Sequence, residues 1–84
     1  MAGNKTRDGI RISRITNVAD NLEDIAVSRG TNHRYILNHD GLKPCPVDTS
    51  TDVRRMVVPW LRKATDNGYT SRELYEGLRR GNLE

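Results

Sequence analysis

The chain holds two histidines, His33 and His39, and one cysteine, Cys45. His33 lies in the run Gly30-Thr31-Asn32-His33-Arg34, so two hydrogen-bonding side chains precede it and a guanidinium follows. Imidazole titrates near working pH and can take or give a proton. Beside cations and side-chain donors it suits chemistry at a phosphate, where charge must be stabilised while a proton moves. Arg34, Lys43, Arg54 and Arg55 are candidates for the cationic part, Arg62 and Lys63 extend the same basic stretch, and Thr31 or Asn32 could bond a phosphate oxygen. A metal centre is the weaker reading. His33, His39, Asp40, Cys45 and Asp48 fall within sixteen residues, but the paired spacings typical of zinc ligands do not occur. No metal and no cofactor is expected. Cys45 sits between Pro44 and Pro46 without a general-base pattern around it, which marks a buried or edge thiol and not a nucleophile.

The elements that position these residues are legible from periodicity and punctuation. Val18, Leu22, Ile25 and Ala26 recur at helical spacing, which predicts a helix over 17–29, capped by Thr16 or Asn17 and ended by Gly30. The run 31–37 is rich in strand formers, and Asp40-Gly41 predicts a hairpin turn leading to a return strand over 42–47. Pro44 and Pro46 lack N–H groups on the same side, so that strand must lie at a sheet edge. Beyond Asp48-Thr49-Ser50, the positions Val53, Met56, Val57, Trp60, Leu61 and Ala64 predict a second helix in which Pro59 marks either its start after a short turn or a kink. Trp60 is in apolar register and is expected in the core; Tyr35 is open between core and base stacking. Thr70-Ser71-Arg72-Glu73 is a capping box for a third helix over 70–80, and a weaker alternation suggests a further strand at 10–15. The fold class expected is α+β, a small antiparallel sheet packed on one face by two helices, over 59–67 and 17–29, with an extra C-terminal helix.

Charge is distributed unevenly along the 84 residues, whose net charge is +3. Residues 1–14 hold four cations against Asp8, residues 15–28 hold three carboxylates and no base, and residues 29–63 hold seven bases against three acids. Such basic clusters are the electrostatic footprint of a protein that meets phosphates. The length fits one domain over 10–82, preceded by a flexible basic arm over 1–9. One cysteine excludes an intramolecular disulfide and points to a reducing, cytoplasmic setting. No apolar run reaches the roughly 20 residues of a membrane span, so no membrane association is expected.

The run Arg29 to Leu37, followed by His39-Asp40-Gly41, then Pro46-Val47, then a capped basic helix, resembles the HicA family of toxin ribonucleases. The resemblance covers residues 16 to about 68 and is most specific at Gly30-Thr31-Asn32-His33. It implies a fold similar to double-stranded-RNA-binding domains, RNA as partner, an antitoxin protein that restrains the activity, and His33 as the catalytic histidine. RNA supplies its own nucleophile, the 2′-hydroxyl, so cleavage without metal needs a base, an acid for the leaving 5′-oxygen, and cations at the phosphate. The expected RNA-binding set is Thr31, Asn32, Arg34, Lys43, Arg54, Arg55, Arg62 and Lys63. The alternative is a non-catalytic module that grips RNA or DNA with the basic face around residues 29–63, joined by the third helix or the N-terminal arm.

Overall fold

The computed structural model describes residues 5–30 and 34–83. Their order is α1 (Ile12–Asp20), β1 (Ala26–Ser28), β2 (Tyr35–Asn38), β3 (Cys45–Val47), a π-helical turn (Val53–Val57), α2 (Val58–Ala64) and α3 (Ser71–Arg80). The fold is α+β. The strands form one antiparallel sheet in the order β1-β2-β3, with Val27 opposite Leu37 and Leu37 opposite Cys45.

Period-two alternation sorts the sheet into two faces. Val27, Tyr35, Leu37, Cys45 and Val47 turn to the core, and Leu37 and Val47 are fully buried. α1 packs against β1 and β2, the π-helical turn packs against β3, and α3 joins α1 to α2. The third helix is therefore part of the core: its Leu74 and Leu78 are fully buried with Ile15, Val18, Val57 and Leu61. β3 is an edge strand, as its Pro46 and the preceding Pro44 require.

Two expectations are corrected. The first helix runs over 12–20 and not 17–29, and Ala26 to Ser28 form a strand. Val18, Leu22 and Ile25 do share one side, but they do so through helix, turn and the residue leading into β1, because all three face the same core. The Asn21–Asp24 segment turns, and from Ile25 to Ser28 burial alternates with period two. The strand suggested at 10–15 is absent: Ile10, Ile12 and Ile15 are buried, the last two on the inner face of α1. Trp60 packs against the core as expected, partly buried, and its indole Nε1–H donates to the Lys43 carbonyl at 2.6 Å.

Residues 5–9, expected in the arm, close a turn on the body. Thr6 is buried, the Arg7 N–H donates to the Thr51 carbonyl at 3.0 Å, and Lys5 bridges Arg11. Pro59 explains the π-helical turn. It has no N–H to offer the Arg55 carbonyl, and its ring would strike that carbonyl in a regular helix. The preceding turn widens, with the Val58 N–H reaching back to the Val53 carbonyl, and the α-helix then continues.

Candidate nucleic-acid interface

Thr31, Asn32 and His33 lie outside the described residues. The flanking groups are placed: Arg29 and Gly30 follow β1, and Arg34 immediately precedes β2 and is exposed. The Arg29 guanidinium lies 5.9 Å from the centre of the Tyr35 ring, so that ring is held by a cation on one side and the core on the other.

The sheet register decides which predicted cations share a surface. Tyr35 pairs with Val47, so Arg34 lies at the end of the sheet where β3 leaves for the Asp48–Thr51 turn and the second helical segment begins. Arg54 and Arg55 belong to the first turn there, and both are exposed. Lys43 lies five residues before Asp48, about 17 Å away along the strand at roughly 3.3 Å per residue. The helical segment runs back antiparallel to β3, as the Trp60 bond to the Lys43 carbonyl requires, and carries Arg62 and Lys63 toward the Lys43 end. The predicted set thus divides: Arg34, Arg54 and Arg55 sit at one end of the sheet, Lys43, Arg62 and Lys63 at the other.

At the Arg54 end the nearby carboxylates are engaged by backbone and hydroxyl donors. Asp52 is the N-cap and accepts the Arg55 N–H at 3.1 Å. Asp8 accepts the Val53 N–H at 3.0 Å through one oxygen and the Arg54 N–H at 3.2 Å through the other. Burial alone would raise the Asp8 carboxyl, but these two N–H groups, with the Thr6 hydroxyl, hold it below the ordinary carboxylate value. Asp48 accepts the Ser50 N–H at 2.9 Å. Among the described residues, Arg34, Lys43, Arg54, Arg55, Arg62 and Lys63 have no ion-pair partner, whereas Glu76 lies 3.7 Å from Arg79.

The sequence offers the N-terminal arm and the third helix only as separate additions to the basic middle; the structure joins them in a second basic surface. A cleft of about 810 Å³ between the N-terminal turn, α1 and α3 is lined by Lys5, Arg11, Arg14, Arg79 and Arg80, with Asp8, Glu76 and Tyr75. The concentration of four cations in residues 1–14 was the available signal; what could not be read was that α3 comes to lie beside them.

The described members of the other constellation, His39, Asp40, Cys45 and Asp48, do not gather into one metal-holding group. Cys45 is buried under the second helical segment, 3.9 Å from the Met56 carbonyl, and desolvation pushes its thiol up to about 11. His39 packs edge-on to Trp60, with ring centres 6.4 Å apart. Among the described residues no three His, Cys, Asp or Glu side chains gather to hold a metal ion, and no helix is long and apolar enough to cross a membrane. No family model, curated protein or solved structure matches the chain.

Proposed function

We propose that this protein binds RNA at the sheet end formed by Arg34, Arg54 and Arg55, and that His33 cleaves it there without metal. The observation that carries the reading is a set of exposed cations without ion-pair partners beside carboxylates already satisfied by backbone N–H groups. Cations so placed are available to phosphates, and the neighbouring carboxylates offer less repulsion than free ones would.

In the proposed reaction the 2′-hydroxyl gives its proton to a base and attacks the adjacent phosphorus. The bond from phosphorus to the 5′-oxygen breaks, and that oxygen takes a proton. The products are a 2′,3′-cyclic phosphate and a 5′-hydroxyl, and no water is consumed. His33 fills one proton-transfer role, and the arginines stabilise the phosphorane charge. A non-catalytic RNA-binding module uses the same cations and leaves His33 idle.

End-labelled structured RNA, incubated in chelator with the protein or its His33→Ala variant, separates the two. Cleavage predicts fragments bearing cyclic phosphate, reduced about 10²–10⁴-fold in the variant, with binding largely retained. Salt-sensitive binding without His33-dependent fragments leaves the module and removes the enzyme; absence of both removes RNA as the partner.

A further inference from the structure

We infer that the cleft between the N-terminal turn, α1 and α3 is a second phosphate-binding surface, over which the backbone of a bound RNA continues from the Arg54 end of the sheet. The inference rests on the RNA reading above and adds a site that the predicted residue set does not contain. Its lining is five cations, Lys5, Arg11, Arg14, Arg79 and Arg80, against two carboxylates. Neither carboxylate is idle: Asp8 is bonded to the Val53 and Arg54 N–H groups, and Glu76 lies 3.7 Å from Arg79.

The cleft is held in shape. The Arg14 Nη1 donates to the Arg79 carbonyl at 2.6 Å, and the Asn17 amide donates to the Gly81 carbonyl at 2.7 Å, so α1 and α3 are tied at the cationic end. That bond places one guanidinium at the seam between the helices. Continuity with the first surface comes from two contacts. Asp8 lines the cleft and also caps the turn carrying Arg54, and the Arg54 guanidinium lies 5.8 Å from the centre of the Tyr75 ring, which lines the cleft as well. Arg54 therefore stands at the junction. A polar groove of like charges suits a polyanion whose charges recur along its length; a small anion would meet only part of it.

The test measures RNA affinity by anisotropy across a salt series, using a labelled RNA duplex of about 20 base pairs. Three variants are compared with the full chain: Arg11→Gln/Arg80→Gln in the cleft, Arg54→Gln/Arg55→Gln at the sheet end, and Arg72→Gln as a charge control outside both. Loss of two phosphate contacts lowers the log–log salt slope by about 2 in the cleft variant, with little change in the control. A cleft variant identical to wild type, beside a sheet-end variant with a reduced slope, overturns the cleft and leaves RNA binding standing. Absence of salt-dependent binding in the wild type overturns both. Displacement of the RNA by inorganic phosphate at matched ionic strength makes the cleft a small-anion site and overturns the continuous path. Should the cleft variant be unfolded by circular dichroism, amide shifts of the wild type on RNA addition decide: shifts at residues 9–14 and 75–80 are expected, and their absence overturns the proposal.

Discussion

At the scale of single residues, Cys45 and Gly81 show opposite ways in which the fold constrains chemistry. Cys45 is only 5 % exposed, and its thiol is raised from 9.0 to about 11 by desolvation. Two units mean about a hundredfold less thiolate at pH 8 than an ordinary cysteine has, before any steric protection is counted. Alkylation at pH 8 should therefore be slow in the native protein and become fast in urea; equal rates would place Cys45 at the surface. The folded state holds the proton more tightly than the unfolded one, so this contribution is intact below about pH 9 and is lost as pH rises toward 11. Gly81 ends α3 with φ of +95°, and an added Cβ would lie 3.2 Å from the Arg14 Cγ. Gly81→Ala should cost about 1 kcal/mol from the backbone alone. It should also press on the side chain that ties α1 to α3, so a calorimetric melt should show a loss above that figure.

At the scale of elements, the start of the second helical segment depends on a residue 45 positions upstream. Asp8 and Asp52 together satisfy three of its first N–H groups. Asp8→Ala removes two of those bonds and the anchor of the N-terminal turn, and should cost about 1–2 kcal/mol by urea unfolding at pH 7. The Asp8 carboxyl is lowered below 3.8 in the fold, so its stabilisation is present above that pH and is lost as pH falls through the folded value. The gap between wild type and variant should accordingly narrow in acid; a gap independent of pH down to about pH 2 would mean the loss is steric. This dependence was not legible in the sequence, because Asp8 reads locally as a turn residue in a basic arm. The capping box at Thr70 was legible, since both of its bonds, 2.9 and 3.1 Å, are made between residues three apart. The boundary of the first helix was missed for a related reason. Apolar spacing reports which side faces the core, and Val18, Leu22 and Ile25 face it through three different local structures. The candidate site was half legible: the types and exposure of its cations follow from composition, whereas their division between two ends of the sheet follows from strand register, a long-range property.

At the scale of the whole molecule, the question is whether α3 is an appendage or a wall of the core. The sheet and the first two helices end by Ala64, and α3 follows only after the Thr65–Gly68 turn, in which Asp66 and Asn67 adopt positive φ. Yet α3 packs on both α1 and α2, and its Leu74 and Leu78 are fully buried. Burying a leucine side chain contributes about 1.5–3 kcal/mol, so two of them and the partly buried Tyr75 approach the about 4–13 kcal/mol that a chain of this size has in total. The core contains no phenylalanine, and its tryptophan is only half-buried, so little else can compensate. A chain ending at Gly68 should therefore lose cooperative melting, keep only part of its far-ultraviolet circular dichroism and expose apolar surface to a dye. Leu78→Ala, a milder change in the full chain, should cost about 2–5 kcal/mol and leave the transition cooperative. Retention of a sharp transition by the shortened chain, within a few degrees of the full one, would mean that α1, α2 and the sheet suffice. α3 would then be a tethered carrier of Arg79 and Arg80, and the basic cleft would be free to open.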